Sequence, residues 1–295
     1  MTGAGQPSSR LALLLATALA PLIWGSTYIV TTQLLPPDRP LTVACLRALP
    51  AGLLLMLIVR RLPQGIWWLR VAVLAALNFA LFWFLLFEAA YRLPGGVAAT
   101  VGAVQPLIVL ILSRLLLDVP IRRLALLASL GGMLGVALLI LRPGAAFDPL
   151  GIAAGLGSAA SMAAGTVLSK RWQPPVSALT FTAWQLVAGG AMLVPAALLL
   201  EPPLPAPSLA NLAGLLWLGL PGAALSYILW FRGLAALGPA RVAPLGFLSP
   251  LIAVILGWAI LGQDLTLPQL AGMALVLVSV WISQRAQAGA NKRAR

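Results

Sequence analysis

A single arginine, Arg47, interrupts the apolar phrase LTVACLRALPAGL that begins at Leu41. A guanidinium in such a setting either snorkels to a polar boundary or meets an anionic partner, such as the carboxylate of a bound molecule. Aromatic residues recur at helical spacing: Trp24 and Tyr28 lie four apart, Phe79, Trp83 and Phe87 recur at every fourth position with Asn78 beside them, and Trp184, Tyr227 and Trp230 add further rings. Walls of this kind either pack among themselves or grip a planar molecule, ring pairs being worth about 0.5–1.5 kcal/mol beyond burial. These residue types hold a ligand rather than break a bond. The chain has no histidine, one cysteine (Cys45) and no acid pair inside an apolar run. Nucleophilic, acid–base and metal-assisted chemistry therefore lack their parts, and neither a metal, nor a cofactor, nor an enzymatic activity is expected.

The elements that position these residues follow from composition. Of 295 residues, 61% are hydrophobic and 8% charged, whereas a soluble domain carries about 25% charged residues. The solvent is lipid. Runs of about 20 apolar residues match a hydrocarbon core about 30 Å thick, and ten can be drawn, near 11–35, 41–59, 70–91, 95–117, 122–141, 149–169, 176–200, 208–231, 239–261 and 266–284. The first runs longer than the apolar core of a secretory signal and contains Pro21 and Gly25, so it reads as a retained span. The net charge of +13 does not point to nucleic acid, because the basic residues sit between apolar segments. Of the 19 Lys and Arg, fifteen fall in one set of alternate loops and termini and three (Arg39, Arg92, Arg142) in the other, Arg47 being the remaining one. That bias places both termini in the cytoplasm.

A repeat organises the spans. Residues 101–112 read VGAVQPLIVLIL and residues 245–256 read LGFLSPLIAVIL, six of twelve positions being identical at an offset of 144. Likewise Leu41 onward resembles LTFTAWQLVAGGA from Leu179 at an offset of 138, pairing Arg47 with Gln185. Five spans per copy is an odd number, so the second copy enters the membrane inverted, an arrangement recurrent among secondary transporters, with a site near the midplane. The expected fold is all-α: ten transmembrane helices as two inverted five-helix repeats, residues 1–146 and 147–295. Pro106 and Pro250, each after a polar residue (Gln105, Ser249), either kink two helices for packing or act as hinges lining a cavity.

Four stretches carry a family resemblance: WGSTYI at Trp24–Ile29, CLRALPAGLLL around Arg47, the GGVAATVGAVQPLIVLIL run from Gly95 and the GPARVAPLGFLSPLIAVILG run from Gly238. On these the chain resembles the drug/metabolite transporter superfamily, in its ten-helix group of two EamA-type repeats. Its aromatic interior is most similar to bacterial exporters of aromatic amino acids. The resemblance implies a multi-pass protein of the bacterial inner membrane that exports amino acids or related small metabolites by alternating access, with no partner beyond substrate and bilayer. Trp24, Tyr28, Arg47, Asn78, Phe79, Trp83, Gln105, Trp184, Gln185, Tyr227, Trp230 and Ser249 are the candidate substrate contacts.

Other features read as structural. Gly131 and Gly135, and Gly157, Ser161 and Gly165, are spaced for close helix packing. Trp67, Trp68 and Trp172 lie beside arginines and read as interfacial belt residues. Glu88 is the one acid within a span, near its outer end; movement down the substrate's own gradient is expected, with a proton mechanism through Glu88 as the alternative. Ten spans enclose a complete pathway, so a monomer is expected. The competing readings are a carrier of other metabolites or of drugs, and a membrane scaffold. A cationic drug favours an embedded acid, and a sugar nucleotide favours several embedded bases.

Overall fold

In hydrocarbon every backbone amide must bond within its own segment or to buried neighbours, and a chain this apolar meets that demand with helices. The computed structural model describes residues 7–93, 100–140 and 148–293. Among them there is no strand, and ten helices are long and apolar enough to cross a membrane: Arg10–Leu34, Pro40–Val59, Trp67–Ala89, Thr100–Leu117, Arg123–Ile140, Pro149–Arg171, Ala178–Leu200, Leu209–Leu237, Pro239–Leu261 and Leu267–Gln287. They are numbered here as the first to tenth spans. Their ends agree with the sequence reading to within a few residues, except that the third starts three residues earlier and the eighth runs six residues further. The first extension adds Trp67 and Trp68 just before Arg70, and the second carries Arg232, whose apolar stem continues the helix while its charge reaches the boundary. Arg70 lies over the rings of Trp67 (5.1 Å) and Trp172 (5.7 Å), as belt residues do. The start of the fourth span and Arg142 lie outside the described residues.

Helix ends are closed by side chains. Asp148 accepts from the amide of Gly151 at 2.7 Å, Ser177 from Thr180 at 3.2 Å, and Ser208 with Asn211 forms a reciprocal box. One cap comes from the other half of the chain: the Glu201 carboxylate accepts from the amides of Leu41 (2.6 Å) and Thr42 (2.7 Å), tying the start of the second span to the end of the seventh. The fourth and ninth spans end alike. Val119 donates to the carbonyl of Ser113 and Gln263 to that of Gly257, both pairs related by the offset of 144.

The packing is reciprocal across the two halves. The first span packs on the eighth and ninth, the sixth on the third and fourth, the second on the seventh, and the fifth on the tenth. Second and seventh spans meet through equivalent glycines. A Cβ added at Gly52 would lie 2.7 Å from the amide nitrogen of Val187, and one added at Gly190 would lie 2.8 Å from that of Leu49. With the offset of 138, each contact is the image of the other, as a two-fold axis between the helices requires. Gly135 and Gly272 likewise bring the fifth and tenth spans close, and Gly165 makes room for the Asn78 side chain.

Because the blocking atoms are backbone, Gly52→Ala and Gly190→Ala must each separate the two helices and are expected to destabilise by about 1–3 kcal/mol. Gly102→Ala, whose Cβ would meet nothing within 4 Å, is the neutral control. Thermal unfolding of the detergent-solubilised protein checks this; equal midpoints for all three would remove the axis from this place.

Candidate functional site

The third and eighth spans each contain one widened turn, at Ala76–Ala80 and Leu220–Leu225, and the two start at the same offset of 144. In the first, the amide of Leu81 reaches back to the carbonyl of Ala76; in the second, that of Ser226 reaches Pro221. A turn of this width releases a carbonyl from the helix ladder. The Leu77 carbonyl accepts instead from Ser161 Oγ at 2.8 Å. That of Gly222 accepts from Ser226 Oγ (2.8 Å) and from Arg47 Nη2 (2.7 Å). Trp24 Nε1 donates to the same Ser226 hydroxyl at 2.9 Å, so the first, second and eighth spans converge on one carbonyl.

Above this point lies a cavity of about 360 Å³. Its floor is aromatic. Trp24 stands 5.0 Å from Tyr227 and 5.1 Å from Trp230 by ring centroids, and the Arg47 guanidinium lies over Trp83 at 5.4 Å. Thr31, Pro40, Leu86 and Leu218, from the outer halves of their spans, line the walls. Gln105 with Pro106 and Ser249 with Pro250, the paired residues of the repeated phrase, also face the cavity. Among the described residues no acid lines it, and Arg47, 9% exposed, has no ion-pair partner. Arg47 Nε, Gln105 Nε2 and Trp230 Nε1 are buried donors without an acceptor.

The sequence candidates separate into two groups. Trp24, Arg47, Trp83, Gln105, Tyr227, Trp230 and Ser249 sit on the cavity wall. Phe79 does not, although its spacing from Trp83 suggested one face: the widened turn rotates it behind the wall, fully buried 4.6 Å from Tyr227 and 5.4 Å from Trp83. Asn78 and Gln185 are also fully buried beneath the floor, joined to each other at 2.8 Å. Trp184 lies at the inner end, its indole donating to the Arg61 carbonyl at 2.6 Å. The side chain of Tyr28 lies outside the described residues. Neither proline interrupts a continuous helix. The α-helical bonding changes just before each, at a turn over 103–104 and at a 3₁₀ stretch over Ala243–Phe247, and Pro106 and Pro250 fall in the first turn of the α-helix that follows, where no amide donor is needed. Thr27, Thr31 and Ser158 were not singled out from sequence, and small hydroxyl residues in apolar spans give no signal that separates a cavity wall from ordinary packing.

Polar contacts tie the spans together at the inner end. Arg241 Nε donates to Gln284 Oε1 (3.1 Å) while Gln284 Nε2 donates to the Arg241 carbonyl (2.8 Å), Arg122 donates to the Ala286 carbonyl (3.0 Å), and Lys170 donates to that of Ala235. A small hollow of about 50 Å³ between Ser169, Ala178, Phe181, Phe231 and Leu234 remains near that end. Glu88 is away from the cavity wall, its carboxylate taken by Arg92 at 2.5 Å, both half-exposed. That hydrogen bond raises the Arg92 pKa above its ordinary value.

Two stretches of the chain, residues 11–141 and 149–284, match the model of the EamA-like transporter family. Protein PecM of Dickeya dadantii is 48% identical over 267 residues, covering 90% of each chain. A protein of Salmonella typhimurium named as a probable amino-acid metabolite efflux pump is 25% identical over 276 residues, covering 90% of this chain and 92% of its own. A crystal structure at 19% identity superposes with a TM-score of 0.77 over 92% of this chain and 98% of that one, which shows a shared fold.

The lining residues place the cavity toward the ends of the spans that the charge bias assigns to the outer side. In a Cys45→Ala background, Ser249→Cys is expected to react with a membrane-impermeant thiol reagent added from outside, and Thr182→Cys, fully buried on the inner side, to stay unreactive. Adding Gly102→Phe, which points into open space, is expected to slow the Ser249→Cys reaction without lowering the unfolding midpoint; fast labelling of Thr182→Cys alone would reverse the assignment.

Proposed function

This chain belongs to the EamA-like transporter family, and from that membership we propose that it exports a small aromatic molecule bearing a carboxylate, the aromatic amino acids being candidates. It is a small-molecule transporter of the bacterial inner membrane with multiple spans, not an enzyme. The observation that carries the finer reading is Arg47: a buried guanidinium without a counter-ion, facing a cavity whose floor is made of Trp24, Trp83, Tyr227 and Trp230. A carboxylate on Arg47 supplies the missing charge, and a ring lies against the floor. A cationic drug finds no acid among the described lining residues, and a scaffold has no use for a cavity around a buried charge.

Alternating access is the mechanism we propose, with residues 1–146 and 147–295 as the inverted copies. Three features support it. Each matched stretch contains five of the ten spans. The second and seventh spans meet by image-related glycines. The polar contacts are paired too: Arg47 bonds to Gly222 across the halves, and their counterparts at offsets of 138 and 144, Gln185 and Asn78, bond to each other. In the inward-facing state Asn78 and Gln185 part and the small inner hollow widens into the counterpart of the present cavity. Transport runs down the substrate gradient, since Glu88 is neutralised by Arg92 away from the cavity wall. The proline pairs, placed at the breaks of the fourth and ninth spans, serve as hinges.

In liposomes without an ion gradient, labelled tryptophan or an aromatic acid is expected to enter saturably. Arg47→Gln keeps a donor for the Gly222 carbonyl but removes the charge, and should lower affinity about 10–100-fold, the scale of a charge-assisted hydrogen bond of about 1.5–3 kcal/mol. Glu88→Gln should match wild type with no dependence on an imposed pH gradient. Wild-type affinity in Arg47→Gln would end the carboxylate reading, and a requirement for a proton gradient abolished by Glu88→Gln would end the uncoupled one.

A further inference from the structure

Resting on the reading that Arg47 meets a carboxylate, we infer that the cavity selects aromatic carboxylic acids without an amino group and discriminates against the corresponding amino acids. The charge on the wall is one-sided. Arg47 brings a full positive charge with no anion paired to it, and Arg47 Nε, Gln105 Nε2 and Trp230 Nε1 are three donors with no acceptor, Arg47 being 9% exposed and Trp230 2%. All three residues face the same cavity. A buried donor left unpaired is costly, and so is a buried charge. A ligand that brings only acceptors at its polar end relieves both.

An ammonium does the opposite. It needs acceptors and a counter-charge, and among the described lining residues there is no Asp or Glu. Ser158 Oγ, which gives its hydrogen to the Phe82 carbonyl, and the hydroxyls of Thr31 and Ser249 can accept from an ammonium but bring no counter-charge, and the face of Trp83, the natural seat of a second cation, is occupied by Arg47. A zwitterion therefore cancels its carboxylate against Arg47 and leaves its amine as a second cation beside the first. A carboxylate without an amine leaves the site neutral. Removing one group from the ligand thus changes the net charge of the filled cavity from positive to zero.

The matched set that isolates this group is 3-phenylpropionate, phenylalanine and phenethylamine, which share one ring and chain length. Binding is measured by quenching of the tryptophan fluorescence of the purified full chain in detergent, which avoids passive leakage of the acid through lipid. The expected order is 3-phenylpropionate at least tenfold tighter than phenylalanine, with phenethylamine weakest. Trp230→Phe, which keeps the ring and loses the donor, should weaken 3-phenylpropionate several-fold. Ser249→Asp, which adds an anion to the wall, should narrow or reverse the preference over phenylalanine. Equal or tighter binding of phenylalanine in the wild type would overturn this inference while leaving the carboxylate reading intact. Tightest binding of phenethylamine, or binding of 3-phenylpropionate unchanged in Arg47→Gln, would overturn both.

Discussion

A guanidinium held at the middle of a membrane protein has to be bonded, and in this structure that bond goes to a backbone carbonyl released by a widened turn. An ordinary helix has no carbonyl to spare at that depth, since each is already taken four residues on. In the Leu220–Leu225 turn the Ser226 amide reaches the Pro221 carbonyl, one residue further back than in an ordinary helix, and leaves that of Gly222 free. The Gly222 carbonyl then accepts from Arg47, and Ser226 links it to Trp24. A Cβ at 222 would sit at an ordinary 3.8 Å from the guanidinium and a tight 3.2 Å from the Trp217 carbonyl, so it is the eighth span's own backbone rather than Arg47 that crowds this position. The aromatic floor follows from this anchor. Trp83 lies under the charge, and Trp24 is oriented by its bond to Ser226 against Tyr227 and Trp230.

The same constraint is met differently in the other copy, and the difference is what gives the cavity a sign. At the position matching Arg47 stands Gln185, and at that matching Gly222 stands Asn78, so a neutral side-chain pair replaces a charge and a carbonyl. The Asn78–Gln185 pair is thus polar without charge, and its Arg47–Gly222 counterpart carries a positive charge. Gly165 sits against the Asn78 side chain where a larger residue would displace it, which is how the sixth span, otherwise written in small residues, comes to matter at this place. Packing glycines between the second and seventh spans keep both polar pairs at the interface of the two copies.

Much of this was legible in the sequence because it depends on features that hydropathy and repetition record. The ten spans and their order follow from hydropathy and from a phrase written twice, and a charge standing in apolar text pointed to Arg47, which the fold buries beside the cavity. What was not legible depends on one-residue shifts. Phe79 and Trp83 are four apart and should share a face, yet the widened turn at Ala76–Ala80 carries Phe79 behind the wall; period analysis assumes an unbroken 3.6-residue helix and has no term for such a turn. Trp184 reads as a further wall residue in the sequence, but its indole donates to the Arg61 carbonyl just past the end of the second span, a long-range contact with no local signature. Pro106 and Pro250 marked real discontinuities, although each sits just after its break rather than at the centre of a bend.

The inner end carries its own tension. Asn78 Oδ1, Gln185 Nε2, Thr166 Oγ1 and Thr182 Oγ1 are buried there without partners, and each such atom costs about 1–3 kcal/mol. Water reaching that region would satisfy them, so this arrangement is held at a higher energy than its packing alone implies. The outer cavity has the matching deficit in its unpaired donors and unneutralised Arg47. Neither side is therefore strongly favoured on polar grounds, and a ligand that satisfies one set of groups shifts the balance by as much as its affinity for the two states differs. Under the proposed alternating access, such incomplete bonding on each side keeps the two states within reach of one another.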